Sequence, residues 1–227
     1  LKSMVVVDPD RDPKDLEGFL DDLNDKVDPA EDVIVLEGMV ADALEAASPY
    51  ENVHDKVIID ATSIPSTDPR SGEAPLLGSF QQATPDWRRG EAAAPGWVGE
   101  DLSAVLALDA AEDARLLRNS MLVVSVSIEG RPSPRTGSEV TPEGDALEAA
   151  RQEKILQLKN QIWQLNEAKD LRWLIITDND LDLHGPKARR RMLWQLFCRF
   201  DVGRGLTFDE GKTRLCWDAT TPIPSES

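Results

Sequence analysis

The chain has 227 residues, 41% of them apolar, enough to bury a core in one or two small globular domains. Its formal net charge of -17 argues against a nucleic-acid or anionic-membrane surface, because both require a positive patch. No apolar run reaches membrane-spanning length, and the stretch before Asp8 is too short for a secretory signal, so a soluble, cytoplasmic chain with no membrane span is expected.

In chain order, Met4-Val5-Val6-Val7 reads as a buried strand leaving its sheet at an aspartate-rich corner. A helix follows, with Asp12 as its cap, Pro13 in its first turn, and Leu16, Phe19, Leu20 and Leu23 along one face. Val33-Ile34-Val35-Leu36, closed by Glu37-Gly38, and Val57-Ile58-Ile59, ended by Asp60-Ala61-Thr62, are two further short strands with a long loop between them. Residues from about Ser63 to Gly99 hold Pro65, Pro69, Pro75, Pro85 and Pro95, which makes them a long irregular connection, pinned to a surface by Trp87 and Trp97.

The alanine-rich stretch from Leu102 to Leu117 is predicted as a helix, Met121 to Val126 as a strand, and Arg131 to Gly144 as a loop. A long helix is expected from about Asp145 to Ala168, with Ile155, Leu158, Ile162 and Leu165 as its seam. Trp173-Leu174-Ile175-Ile176 is a strand; a helix from about Pro186 turns Met192, Leu193, Leu196, Phe197 and Phe200 inward. Short strands near Leu206 to Phe208 and Leu215 to Trp217 complete the pattern. Buried strands alternating with helices imply an α/β fold: two related layered units with mainly parallel sheets flanked by helices. The units run over 1–66 and 119–227, joined by a Pro/Gly-rich connection and helix over 67–118.

Two signatures recur in order. An apolar strand enters Asp-x-Asp-x-Asp at Asp8, Asp10, Asp12 and again at Asp178, Asp180, Asp182. A later strand enters Asp-Ala-Thr at Asp60 and again at Asp218, with Pro65 and Pro222 close behind. The halves therefore read as duplicated units. An EF-hand is excluded at both corners, because its sixth and twelfth positions would be Pro13 and Phe19, or Leu183 and Arg189, in place of glycine and glutamate. The aspartates are expected to cap helices and hold turns, although a divalent ion at the carboxyl ends of parallel strands is conceivable. Asp60 and Asp218 are expected to hold exit turns.

Charge is uneven: Leu1 to Asp60 holds 17 acidic and 5 basic residues, net -12, whereas Lys169 to Ser227 holds 9 acidic and 10 basic, net +1. Either the two ends face each other, or the acidic end meets a basic partner, or the excess is a solvated face. Lys187, Arg189, Arg190, Arg191 and Arg199 form the one basic concentration; they could grip an anion, but pairing with acids of the first unit is favoured. His54 and His184 lack the spacing of a zinc motif, and Cys198 and Cys216 are too few for a disulfide framework and read as structural thiols. No phosphate loop, nucleophile elbow or other complete catalytic constellation is present.

The same motifs resemble the carboxy-terminal domain of the UbiD family, the prenylated-flavin-dependent decarboxylases of aromatic and unsaturated acids. The likeness lies in Asp28-Pro29-Ala30-Glu31-Asp32, Leu44-Glu45-Ala46-Ala47-Ser48-Pro49, Lys56 and Asp60-Ala61-Thr62, and in Trp194, Arg199, Asp201 and Arg204 of the second unit. It covers roughly residues 4 to 66 and 120 to 222. Pro9, Arg11 and Glu31 depart from the family pattern, and the second unit lacks the Ser-Pro loop. The resemblance implies a carboxy-terminal region of a larger carboxy-lyase of the kind used in ubiquinone or menaquinone biosynthesis, with a strand and helix before Met4. It implies self-association into a homo-oligomer and closure of one side of the active-site cleft. Prenylated FMN and a divalent metal belong to a preceding cofactor-binding domain. No catalytic, cofactor-binding or metal-binding residue is assigned to this chain, which is expected to be inactive by itself; a free-standing assembly subunit and an unrelated anion-binding domain are the alternatives.

Overall fold

The computed structural model describes residues 3–40, 53–62, 97, 101–127 and 142–221. In the first unit β1 (Ser3–Val7) pairs parallel with β3 (Val53–Ala61), and β2 (Val33–Val40) pairs antiparallel on the other side, giving the order β1-β3-β2. β2 does not close at Glu37-Gly38. Gly38, at φ 64°, takes the strand through an irregularity between Leu36 and Met39 and on to Val40, a conformation glycine adopts without steric cost.

Helix α1 (Leu16–Lys26) stands between β1 and β2 and is capped by Asp15, which accepts from the Gly18 N–H at 3.0 Å, rather than by Asp12. Asp12 holds the preceding turn instead, accepting from the Lys14 N–H at 2.9 Å, so the helix starts one carboxylate later than its sequence implied. A short helix, α2 (Pro29–Asp32), follows with Asp28 as cap and Pro29 in its first turn.

The second sheet has the order β4-β5-β6-β8-β7, from β4 (Ala111–Arg118), β5 (Met121–Val126), β6 (Trp173–Asp178), β7 (Leu206–Phe208) and β8 (Leu215–Ala219). Its centre, β5-β6-β8, is parallel and both edges are antiparallel, so the fold is α/β with two mixed sheets flanked by helices. The helix expected over Leu102 to Leu117 is not formed: only α3 (Ser103–Leu106) turns, and the rest becomes β4. Alanine's helical preference amounts to well under about 1 kcal/mol per residue, and pairing with β5 plus burial of Ala114 and Leu117 outweighs it.

Helix α4 (Pro142–Gln164) lies on the outer face of this sheet, and α5 (Ala188–Arg199) and the short α6 (Val202–Gly205) connect β6 to β7. Among the described residues no helix is long and apolar enough to cross a membrane. Trp97 is buried in the core under α4, its indole N–H donating to the Asp101 carbonyl at 3.2 Å. Trp87 and the rest of the Pro-rich connection before Trp97 lie outside the described residues, as do Leu44 to Pro49 and Arg131 to Thr141.

The two units follow one path. β1-α1-α2-β2-β3 and β6-α5-α6-β7-β8 share element order, strand order and strand direction. Their registers coincide too, Val7 lying opposite Ala61 as Thr177 lies opposite Ala219. One core joins them. Val57 and Ile59 of β3, Leu20 and Leu23 of α1, Met192 and Leu196 of α5, and Trp173, Ile175 and Trp217 of the second sheet pack together. Phe200 lies 4.4 Å from Trp217, ring centre to ring centre. A second core fills the space between the other face of the second sheet and α4. β1 is not the buried strand its composition implied. Val5 and Val7 face the shared core, but Met4 is 45% and Val6 40% exposed, because no described element covers that face.

Candidate functional site

The acidic corners open at the carboxyl ends of the parallel strands, the edge where open α/β sheets bind ligands. In the second unit Asp178, at the end of β6, is 1% exposed and accepts from Arg199 at 2.7 Å, from the Thr221 N–H at 2.9 Å and from the Thr221 hydroxyl at 2.7 Å. Arg199, the last residue of α5, also forks onto Asp180 at 3.0 and 2.9 Å. Asp182 holds a turn through the N–H groups of His184 and Gly185, both at 2.9 Å, which keep its carboxyl below the ordinary range. The first unit repeats the plan with other residues. Lys26, the last residue of α1, contacts Asp8 at 2.6 Å and Asp22 at 2.7 Å, and Arg11 forks onto Asp22 at 2.7 and 2.8 Å.

Asp60 and Asp218 hold their exit turns as expected. Asp60 accepts from the Thr62 N–H at 3.0 Å and hydroxyl at 2.7 Å; Asp218 accepts from the Thr220 N–H at 2.9 Å and hydroxyl at 2.6 Å. Behind Asp218 lies a group that the apolar seam of α4 concealed. Arg151 has a wholly buried side chain, held by Glu148 at 2.6 and 2.8 Å, by Asp218 at 2.8 Å and by the Thr220 hydroxyl. Burial disfavours its charge, but the Glu148 bonds and the field of Asp218 outweigh burial and hold the guanidinium more firmly protonated than usual. Arg204, on α6, is pushed the other way, first by burial and then by the nearby Arg151 charge. The Glu148 and Arg151 spacing on one helix was legible; the partnership with Asp218, 67 residues away, was not.

The basic cluster does not act as one group. Arg189 pairs with Glu17 of α1, Arg199 belongs to the Asp178 corner, and Arg190 and Arg191 are exposed on α5 with Trp194, which is 67% exposed. His54 is buried on β3 with neither ring nitrogen hydrogen-bonded, whereas His184 is exposed, its Nε2 2.9 Å from Asp113. Cys216 is buried in the second core, where burial and then Asp218 push its thiol well above the ordinary value; Cys198 is exposed.

Chemically, these corners set carboxylates beside fixed cations. A divalent metal would have to displace Lys26 from Asp8 or Arg199 from Asp178 and Asp180, so the donor set does not suit one. Among the described residues no cluster of three or more His, Cys, Asp or Glu could hold a metal ion.

No curated protein matches the chain. Among solved structures it is similar to vanillic acid decarboxylase of Sedimentibacter hydroxybenzoicus in open form, at 11% identity and a TM-score of 0.36, over 55% of this chain and 26% of that one. A second is an evolved dimeric form of the UbiD-class enzyme HmfF from Pelotomaculum thermopropionicum in complex with prFMN, at 12% identity and a TM-score of 0.36, over 86% of this chain and 41% of that one. The chain thus spans less than half the length of these proteins. Residues 1–61, which end with the last residue of β3, match the family model of the 3-octaprenyl-4-hydroxybenzoate carboxy-lyase C-terminal domain.

Proposed function

We propose that the chain is the carboxy-terminal, twice-repeated α/β region of a UbiD-type carboxy-lyase acting on a hydroxybenzoate or related aromatic or polyprenylated acid in the cytoplasm. The observation that carries this reading is the family match over residues 1–61; the shared path and register of the two units extend it to the second half as a diverged duplicate. The chain's role is oligomerisation and closure of one side of the cleft. Ion-paired corners support that role, because they brace strand ends. Prenylated FMN, a divalent metal and the chemistry itself belong to a preceding cofactor domain.

The test compares residues 1–227 alone with the native protein purified from its source. The native protein should carry a prenylated flavin and release carbon dioxide from a hydroxybenzoate; the isolated chain should do neither. Turnover by the isolated chain would overturn the non-catalytic role. A native protein without flavin or turnover would overturn the carboxy-lyase reading and leave a non-catalytic assembly subunit.

A further inference from the structure

Half-buried arginines in this fold are bonded, with one exception. Among the described residues every other arginine that is not exposed reaches a carboxylate or a backbone carbonyl, as Arg199 does on Asp178 at 2.7 Å and Arg172 on the Val27 carbonyl at 3.2 Å. Arg204 is half-buried, yet only its backbone N–H is bonded, to Asp201 at 3.1 Å; its guanidinium has no hydrogen bond and no ion pair. A guanidinium is all donor, and drawing one partly out of water without an acceptor is unfavourable.

The backbone sets its place. α6 runs straight into β7, whose Leu206 lies opposite Trp217, and a Cβ on Gly205 would stand 2.8 Å from the Asp218 carbonyl. Arg204 therefore leaves the chain beside the carboxyl end of β8, on the edge of a parallel sheet where α/β folds hold ligands. Arg151 reaches the same point from α4, bonded to Asp218 at 2.8 Å and to Glu148 at 2.6 and 2.8 Å. The Arg151 charge acts on Arg204 more strongly than any single carboxylate does, with Glu148 and Asp218 next. The acids that could answer Arg204 are thus already held by Arg151.

Charge selects the ligand. The planar fork of a guanidinium suits a carboxylate or a phosphate. Around this fork stand three carboxylates: Glu148 and Asp218 on Arg151, and Asp201 on the first turn of α6. A phosphate, at about -1.5 to -2 near neutral pH, meets more repulsion from them than a singly charged carboxylate does, for the same fork.

We propose that Arg204 binds the carboxylate of a small organic acid at the carboxyl end of β8, with Arg151 as the positioning residue that keeps Glu148 and Asp218 from closing on it. The inference rests on this cluster and not on the carboxy-lyase reading.

Arginine-selective dicarbonyl labelling, read residue by residue by mass spectrometry on the 227-residue chain and on the native protein, tests it. Acetate serves as the acid, with phosphate and chloride at matched ionic strength beside it. Without acetate Arg204 should label in both proteins, while Arg151, whose side chain is wholly buried, should resist. Saturating acetate should slow labelling of Arg204 about tenfold and leave the exposed Arg190 and Arg191 unchanged, and phosphate should protect far less. Arg204→Gln should abolish the rise in melting temperature that acetate gives, and should melt with the parent when acetate is absent, because no group of the chain bonds that guanidinium. Protection that follows ionic strength alone, equal protection by phosphate, or a lower melting temperature of Arg204→Gln without acetate would overturn the proposal. So would an Arg204 that resists labelling in the native protein without acetate, because a carboxylate of that protein would then stand where the free acid should. A flavin-free, inactive native protein in which acetate still protects Arg204 would sink the carboxy-lyase reading and leave this inference standing.

Discussion

Arg151 shows how much one residue can hold. Its side chain is fully buried between Glu148 and Asp218, so deleting it removes the buried cation that both carboxylates contact. Breaking a buried pair in this way typically costs about 3–5 kcal/mol, and Arg151→Ala should lower stability in urea unfolding by that order; a loss below about 1 kcal/mol would show the network to be dispensable. Lysine should not rescue it, because an ammonium lacks the fork that reaches both partners. The thiols give a second residue-level prediction. Burial and Asp218 keep Cys216 protonated, while Cys198 is exposed. A thiol reagent should therefore label Cys198 alone in the native chain and both cysteines once it is unfolded. Cysteine count alone excluded a disulfide framework, but which thiol is accessible depended on the neighbours that burial supplies.

Elements read well where periodicity was strong and poorly where composition misled. The seam Ile155, Leu158, Ile162 identified α4, and the β-branched runs identified β1, β3, β5 and β6. The Leu102 to Leu117 stretch failed because alanine content is a local signal and the pairing of β4 with β5 is not. Close approach at an element boundary was equally invisible. A Cβ on Gly205 would lie 2.8 Å from the Asp218 carbonyl and 2.8 Å from the Phe200 ring, so Gly205→Ala should cost about 1–3 kcal/mol by forcing α6 away from β8. Gly38 differs: it has open space around it but a φ of 64°, so Gly38→Ala should cost about 1–2 kcal/mol through backbone strain alone. Denaturant unfolding of the two variants, with crystallographic comparison of α6, separates the causes.

At the scale of the whole molecule, the acidic first unit and the near-neutral second unit face each other across α1. Arg118 bonds Glu17 at 3.0 Å and also Asp21, Arg189 bonds Glu17, and Arg172 bonds the Asn24 and Val27 carbonyls, the latter at 3.2 Å. Ser120 adds two bonds to the Asn24 side chain, at 3.1 and 2.6 Å. The Arg118 bond, and after it Arg189, hold the Glu17 carboxyl below its ordinary value of 4.5, against some desolvation. Its folded pKa is depressed, so its contribution is present above the ordinary value and lost as pH falls through the folded one. The melting temperature should accordingly drop on acidification below that ordinary value, less steeply for Glu17→Gln, and added salt should weaken the clasp because Glu17 is 53% exposed. Parallel slopes for the two proteins would remove Glu17 from the account. The sequence by itself determined the α/β class, most strands, the paired Asp-led corners and the uneven charge, because these follow from local periodicity, turn chemistry and composition. Only tertiary structure decided that β4 is a strand, that Arg151 answers Asp218, that Arg189 meets Glu17 and that Met4 and Val6 of β1 are exposed. Each of those depends on residues far apart in the chain being brought within a few ångströms, which no local pattern records.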